Sequence, residues 1–236
     1  RIVCDNDRKT QHCGWINRAQ GKKRMVKKAI LFDLDGTLLQ THFHSCRAAH
    51  ETLRALGLPD VSDEIVMQHI GDPADAFLRE LAPEYADLPA FEALFDANEH
   101  AALKKSGRLY DGVPELIRGL RERGYLLAIC SNGSRAYVET ALNATGIRDA
   151  FQHLACAGEH ADKAAAVRKI VCECGSGFAV VIGDRAHDAL AAKENRLPFI
   201  AAGYGYGAQE TADARFRARN PYGIIPLLER IEKIFL

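Results

Sequence analysis

The sequence lacks an excess of charge of either sign. Its 236 residues contain 31 lysines and arginines and 31 aspartates and glutamates, so the formal net charge is zero. A protein that binds nucleic acid or a membrane surface usually carries a basic excess, and only the first 24 residues are locally basic here. The charge balance therefore favours neither a nucleic-acid partner nor a membrane partner. With 47% hydrophobic residues, the chain can bury one large core, or a core and a small accessory domain.

A disulfide framework and a long apolar run are also missing. The seven cysteines are an odd number at scattered positions, so the sequence predicts reduced thiols in a cytoplasmic protein. Cys172 and Cys174 resemble half of a metal site, but no second pair follows at zinc spacing. No apolar stretch approaches the roughly 20 residues of a membrane span, and the N-terminus lacks the apolar centre of a signal peptide.

The first residues differ from the rest of the chain. They do not begin with methionine, whereas Met25 directly precedes the first apolar segment and looks like a natural start. We therefore expect residues 1–24 to be a disordered extension without a function of its own.

Short apolar runs alternate with amphipathic segments from Met25 onward. Ser134 and Asp162 stand where helix N-caps are expected, and Gly146 stands where a helix would end. The alternation predicts an α/β fold with a Rossmann-like core, in which the strands are buried on both faces of a parallel sheet. The expected strands are 29–32, 126–130, 153–157, 178–182 and 199–202, and the expected helices are 113–123, 135–145, 163–174 and 186–195.

Residues 41–110 interrupt this alternation, because they contain no convincing strand. Turn signals divide them into four helical pieces, with Ser45 as the expected N-cap of the first. These residues therefore predict an inserted helical cap domain, and the flanking parts, 25–40 and 111–236, predict the catalytic core. The expected helices of the insertion are 45–56, 63–69, 73–81 and 89–104.

Three of the predicted strands end in polar side chains, Asp33, Ser131 and Asp184. In open parallel sheets the ligand crevice lies at the carboxyl edge of the strands, so these distant residues are expected to converge. Asp33 is followed by Asp35 and then by Gly36. A turn can contain aspartate and glycine, but a turn explains neither the second carboxylate nor the apolar run before the first.

Residues 31–39, Leu-Phe-Asp-Leu-Asp-Gly-Thr-Leu-Leu, resemble the D-x-D-G-T-L signature of the haloacid dehalogenase superfamily. Ser131 matches the second motif of that family, and Lys163, which follows Asp162 at a helix start, matches the third. Residues 183–188, Gly-Asp-Arg-Ala-His-Asp, match the fourth motif. The resemblance extends from Ala29 to the C-terminus, with the four motifs in the family's order.

The resemblance implies a role for each matched residue. Asp33 attacks phosphorus and becomes an aspartyl-phosphate, while Asp35 acts first as a general acid and then as a general base. Ser131 and the backbone around Asn132 bind the phosphoryl oxygens. Lys163 neutralises charge on the nucleophile and on the phosphoryl group.

The resemblance further implies Mg²⁺, bound by Asp33, Asp184 and the Asp35 carbonyl, with support from Asp188 directly or through water. A charge argument agrees with this expectation. Two like charges ~4 Å apart, at an effective dielectric of roughly 20, repel by about 4 kcal/mol. Lys163 alone does not balance three carboxylates and a phosphate dianion, whereas a hard divalent cation with oxygen ligands does.

Asp35 narrows the expected reaction. In the family, haloacid dehalogenases, phosphonate hydrolases and ion-pump ATPases have other residues at this position, so Asp35 implies phosphatase or phosphomutase chemistry. The insertion resembles the helical cap of phosphoglycolate phosphatases, related nucleotidases and β-phosphoglucomutases, which closes over small substrates. Its segment 70–73, Ile-Gly-Asp-Pro, resembles the phosphatase and nucleotidase branch.

The resemblance therefore implies a magnesium-dependent phosphatase that acts on a small phosphorylated metabolite, such as phosphoglycolate, a sugar phosphate or a 5′-nucleotide. A β-phosphoglucomutase-like phosphomutase is the alternative. A protein that binds a phosphate ligand without turnover is less favoured, because the set of catalytic residues is complete. The sequence indicates neither the substrate nor the oligomeric state.

Two positions depart from the family pattern. Gln40 stands where an acidic residue is common, and Arg196 stands where glycine is usual, so Asn195 is expected to take the left-handed conformation. His42 and His44 are candidates to face the cleft from the insertion, and Arg79 is a candidate to contact a substrate anion. Solvated or capping roles are more common for residues of these types at helix starts and surfaces.

Overall fold

The computed structural model describes residues 27–236. The expectations for residues 1–24 lie outside this range. Within residues 27–236, six strands form one sheet: β1 Lys28–Phe32, β2 Tyr125–Cys130, β3 His153–Ala155, β4 Phe178–Gly183, β5 Phe199–Ala202 and β6 Arg217–Ala218. Nine α-helices accompany them in this described range: α1 His42–Ala55, α2 Asp63–His69, α3 Ala74–Leu81, α4 Leu88–Ser106, α5 Val113–Glu122, α6 Arg135–Ala144, α7 Lys163–Cys174, α8 Ala186–Glu194 and α9 Ile224–Phe235.

The sheet has the order β3-β2-β1-β4-β5-β6, and every pair of neighbouring strands is parallel. Helices cover both faces, which confirms the predicted Rossmann-like α/β class. Alternate residues of β1 enter different cores: Ile30 and Phe32 belong to one hydrophobic cluster, and Ala29 and Leu31 belong to the other. This is the two-residue period of a strand that is buried on both sides.

Several local predictions match the structure. The Ser134 hydroxyl accepts a hydrogen bond from the Tyr137 amide at 3.2 Å, and the Asp162 carboxylate accepts one from the Ala165 amide at 2.7 Å. Gly146 follows α6 with a φ of +72°, a value that suits glycine. The strand β6 and the helix α9 were not predicted, because β6 has two residues and α9 follows no further strand.

Two local predictions are wrong. Helix α1 begins at His42, so Ser45 lies inside the helix, where its hydroxyl donates to Glu99 of α4. After α8, Asn195 has a φ of −88°, and Arg196 itself takes the left-handed conformation with a φ of +56°. The chain therefore adopts the turn that glycine usually makes here, at some cost in backbone strain.

Helices α1 to α4 form a helical insertion between β1 and β2. They share a hydrophobic cluster of their own, in which Leu53, Val66 and Phe91 are almost completely buried. The insertion lies over the carboxyl edge of the sheet, since Thr41, Gly71 and other residues of this segment contact residues that follow the strands. Among the described helices, none combines the length and apolar character that crossing a membrane requires.

Candidate active site

Three strand ends place polar side chains at one edge of the sheet. Phe32 pairs in register with Ile129 of β2 and with Ile182 of β4, so the residues that follow these strands are neighbours. Asp33 follows β1, and its amide donates to the Ile182 carbonyl at 2.8 Å. The structure thus brings the ends of β1, β2 and β4 together, as the sequence predicts for Asp33, Ser131 and Asp184.

Lys163 is the first residue of α7 and joins two carboxylates at this edge. Its Nζ lies 2.8 Å from Asp33 Oδ1 and 2.5 Å from Asp188 Oδ1, and its side chain is only 8% exposed. Burial lowers the pKa of Lys163, but Asp188 and Asp33 outweigh burial and hold that pKa above its ordinary value. The lysine is therefore a fixed positive charge at neutral pH.

Asp33, Asp184 and Asp188 form a buried carboxylate cluster. Each offers an oxygen, and these three oxygens all lie within 4.8 Å of one another. Burial raises the pKa of Asp33, Lys163 opposes this shift, and the neighbouring carboxylates add to it. Burial and Asp188 likewise raise the pKa of Asp184 to about 7.

The donor set of this cluster fits a hard divalent cation. The Asp33 Oδ2 atom is buried and has no hydrogen-bond partner within residues 27–236, so one ligand atom is left unused by this part of the chain. Oxygen ligands at this spacing are those that Mg²⁺ takes in phosphoryl-transfer sites. Asp33, Asp184 and Asp188 are therefore the residues that could hold the ion.

Two loops hold Asp184, the one that follows β1 and the one that follows β5. Thr37 Oγ1 donates to its Oδ1 at 3.1 Å, and the Gly207 amide donates to its Oδ2 at 3.0 Å. A Cβ atom on Gly36 or on Gly205 would lie 2.5 or 2.4 Å from Asp184, which is closer than atoms can approach. Residues 203–207, Gly-Tyr-Gly-Tyr-Gly, therefore pack against the carboxylate cluster. Gly205 is needed there because a side chain would collide with Asp184.

The Asp35 carboxyl is not a member of the carboxylate cluster. Its Oδ1 accepts a hydrogen bond from Thr41 Oγ1 and another from the Tyr137 hydroxyl, each at 2.6 Å. Burial raises the pKa of Asp35, while the bonds from Thr41 and Tyr137 lower it. A carboxyl group with a raised pKa holds a proton closer to neutral pH, as a general acid requires.

Tyr137, which donates to Asp35, also contacts the helical insertion. His44 is fully buried, and its Nε2 lies 3.1 Å from the Tyr137 hydroxyl. Burial lowers the pKa of His44 to about 3, so the ring is neutral. Because that hydroxyl donates to Asp35, His44 Nε2 must be the donor of its own bond. His44 Nδ1 has no partner in the described part of the chain.

The other histidine and arginine candidates have different surroundings. His42 contacts the Tyr206 hydroxyl through its amide at 2.9 Å and its Nδ1 at 2.8 Å. Arg79 is exposed on α3. Neither is placed against the carboxylate cluster, and Gln40 donates to the Leu109 carbonyl at 2.7 Å beside the junction of the insertion with the core.

Ser131 and Asn132 follow β2. The Ser131 hydroxyl accepts a hydrogen bond from the Gly133 amide at 3.0 Å, and the side chain is 5% exposed. Asn132 Nδ2 donates to the Gly71 carbonyl of the helical insertion at 2.9 Å and lies 3.2 Å from His187 Nε2. Asn132 therefore attaches the insertion to the core at the point where it was predicted to bind substrate.

A known family matches this arrangement. The family model described as haloacid dehalogenase-like hydrolase matches residues 30–202, which is more than half of the chain. The chain belongs to this family. The expected superfamily and the expected class of enzyme, a hydrolase, are both confirmed.

Individual relatives of this haloacid dehalogenase-like hydrolase have phosphatase names. It is 27% identical over 194 residues to a phosphoglycolate phosphatase of Agrobacterium fabrum, covering 78% of this chain and 83% of that one. It is 29% identical over 210 residues to a 5′-nucleotidase of Pseudomonas aeruginosa, covering 81% and 88%. A crystal structure from Haemophilus somnus, described as a predicted phosphoglycolate phosphatase, has a TM-score of 0.74 at 23% identity, covering 86% and 98%, and supports the fold.

Sequence reasoning missed three residues of this hydrolase that hold the site. Thr41 and Tyr137 orient Asp35, and Arg185 links the core to the insertion. The Arg185 guanidinium donates to the Gln68 carbonyl at 2.9 Å and to Asp72 Oδ1 at 2.5 Å. Arg185 lies within the fourth motif, at a position where the motif specifies no residue, and a tyrosine inside α6 gives no sequence signal at all.

Proposed function

We propose that the protein is a magnesium-dependent phosphatase that hydrolyses small phosphate monoesters through an aspartyl-phosphate on Asp33. The observation that carries the proposal is the buried Asp33 carboxylate, two residues from the Asp35 carboxyl with its raised pKa. Asp33 Oδ1 accepts from Lys163, and Oδ2 has no partner among the residues that the structure describes. Phosphatase names among the relatives support the same reaction.

In the first step the Asp33 carboxylate attacks phosphorus, and the bond from phosphorus to the ester oxygen breaks. The departing oxygen takes the proton held by Asp35, so the product is a neutral alcohol. Lys163 balances the negative charge beside Asp33, and Ser131 together with the backbone at Asn132 holds the phosphoryl oxygens. These four roles are part of the proposal.

In the second step water attacks the aspartyl-phosphate. Asp35, now a carboxylate, takes a proton from that water, phosphate leaves, and both aspartates return to their starting states. The Thr41 and Tyr137 hydroxyls keep the Asp35 carboxyl in place for both steps. Mg²⁺ held by Asp33, Asp184 and Asp188, with the Asp35 carbonyl, would supply positive charge to the phosphoryl group.

The helical insertion is proposed to be a cap domain, comprising residues 41–110, on a core of residues 25–40 and 111–236. Its contacts with the core through Asn132 and Arg185 support a closed position over the cleft. A closed insertion excludes bulk water and limits the substrate to a small metabolite. A cytoplasmic location stays a prediction.

Replacement of the nucleophile tests the proposal. Asp33→Asn should abolish release of phosphate from 4-nitrophenyl phosphate with Mg²⁺, and excess chelator should abolish it in the unmodified protein. Asp149→Asn, at an exposed position, is the matched control and should keep full activity. Unchanged turnover by Asp33→Asn would refute the mechanism, and isomerisation of a sugar phosphate without phosphate release would select the phosphomutase.

A further inference from the structure

A cavity of about 180 Å³ lies between the core and the helical insertion, with Asp35 in its wall. Asp35 is 7% exposed, and both of its side-chain hydrogen bonds go to Oδ1. Its Oδ2 therefore has no hydrogen-bond partner among the described residues. On the proposed function, the leaving group of the substrate must begin at this carboxyl and extend into the cavity.

Three carboxylates of α4 line the cavity: Glu92, Asp96 and Glu99. Their spacing of four and three residues puts them on one face of the helix. Glu99 Oε1 accepts from the Ser45 hydroxyl, whereas Glu92 and Asp96 have no hydrogen bond or ion pair in the described part of the chain. This wall is acidic and is largely unpaired.

The cavity offers no compensating positive charge. Among the described residues, neither lysine nor arginine lines it, and His69 is its one basic side chain. The His69 Nδ1 lies 3.1 Å from Asp72, whose carboxylate also accepts from Arg185, so this imidazole is already engaged. A leaving group with a carboxylate would therefore find no lysine or arginine to pair with in the described lining of this cavity.

Another part of the cavity wall is apolar. Phe77 and Leu78 of α3 and Phe95 of α4 contribute it, and the Phe77 and Phe95 rings are in edge contact with centroids 5.3 Å apart. Aromatic faces attract ammonium groups and accommodate the methylene groups beside them. The combination of free carboxylates with aromatic rings is therefore suited to a cation that carries apolar carbon atoms.

We propose that the leaving group is an amino alcohol, so that the substrate is the phosphate monoester of a positively charged amine. The ammonium group lies against Asp96 and Glu99, and its carbon chain lies against the rings. The inference rests on the proposed phosphatase function and names its substrate class. Burial raises the pKa of Glu99 to about 8, and a bound cation would restore its charge.

Three two-carbon esters of similar size test the charge preference. They are O-phosphoethanolamine, 2-hydroxyethyl phosphate and 2-phosphoglycolate, which carry an ammonium, a hydroxyl and a carboxylate group. With Mg²⁺ at pH 7, kcat/KM should fall in that order, by about tenfold at each step. Equal values for the amine and the hydroxyl ester, or a preference for the carboxylate ester, would overturn the proposal.

Variants of the α4 carboxylates test whether these residues cause the preference for the amine ester. Asp96→Asn and Glu99→Gln should each lower the ratio of kcat/KM for the amine ester to that for the hydroxyl ester by about fivefold to tenfold. Glu84→Gln, an exposed acid between α3 and α4, is the control and should leave the ratio unchanged. Asp96→Lys should reverse the preference toward 2-phosphoglycolate, which is a gain that misfolding does not produce. A ratio that none of these variants changes would contradict the assignment.

The preference for an amine ester and the phosphatase activity itself can be tested separately. Asp33-dependent hydrolysis of 4-nitrophenyl phosphate, without the predicted order among the three esters, would overturn the amine proposal and leave the phosphatase intact. No hydrolysis of 4-nitrophenyl phosphate under any metal condition would overturn both.

Discussion

The carboxylate cluster of the core and the acidic wall of α4 are both rich in negative charge, but their surroundings differ. In the core, Lys163 lies between Asp33 and Asp188, and hydroxyl and amide groups hold Asp184. On α4, Asp96 has no hydrogen bond or ion pair in the described chain. The comparison indicates that protein groups hold the core carboxylates in place, whereas Asp96 on α4 has no such partner in the described chain.

Apart from Asp33→Asn, removal of Lys163 should have the largest effect on activity among the variants of these two regions. Lys163→Met keeps an apolar stem but leaves Asp33 and Asp188 buried without their cation, and phosphate release should fall by on the order of 10³-fold. Lys169→Met, an exposed position on the same helix, is the control and should keep activity. If Lys163→Met retains most of its kcat while folded by circular dichroism, the core charges are not fixed by this lysine.

Truncation of Phe91 tests whether the insertion has a core of its own. Phe91 is completely buried in the hydrophobic cluster of the insertion, so Phe91→Ala should lower the free energy of unfolding by about 3–5 kcal/mol. Hydrogen exchange should show early opening of α1 to α4 with β1 still protected. Leu190→Ala, at a half-exposed position on α8, should cost much less. Simultaneous opening of both regions would contradict separate cores.

Metal removal should make the stability of the core depend on pH. The folded pKa of Asp184 is raised to about 7, above its unfolded value, so the folded state holds this proton more tightly. Stability is therefore present at low pH and is lost as pH rises through 7, by about 1.4 kcal/mol between pH 6 and 8 for one such group. Chemical unfolding with chelator should show this loss, Mg²⁺ should reduce it, and Asp184→Asn should abolish it. If the difference in unfolding free energy between the unmodified protein and Asp184→Asn does not change with pH, the prediction is wrong.

Tyr137 lies between the two regions and should have a smaller, selective effect. Tyr137→Phe removes one of the two hydrogen bonds to Asp35, so esters of poor leaving groups, which need protonation, should slow by about tenfold. 4-Nitrophenyl phosphate, whose leaving group needs little protonation, should slow by less than about threefold. Tyr222→Phe, at an exposed tyrosine, is the control. Equal slowing of both esters would indicate that Tyr137 does not act through the general acid.

The predictable part of the molecule is the part with local signals. Short apolar runs ending in aspartate or serine predicted the parallel strands and the convergence of Asp33 and Asp184. Helix caps at Ser134 and Asp162 were predictable because the capping side chain and its amide are three residues apart. Residue roles inferred from the family resemblance stay predictions.

The parts that were missed depend on contacts between distant segments. Tyr137 and Asp35 are 102 positions apart, and Arg185 and Asp72 are 113 apart. Ser45 has the residue type of a cap, but the helix starts earlier because Thr41 is held by Asp35. Arg196 adopts a conformation that its type disfavours, so no propensity would predict it.

The placement of the three α4 carboxylates has a consequence for how much substitution this helix of the protein can tolerate. Glu92 and Asp96 are exposed and make no hydrogen bond or ion pair in the described chain, so replacing either costs little stability. β1 has no such freedom, because Ala29 to Phe32 are completely buried on both faces. Side chains on this face of α4 can therefore be exchanged at little cost to folding, whereas a substitution in the strand that precedes Asp33 would disturb two hydrophobic cores at once.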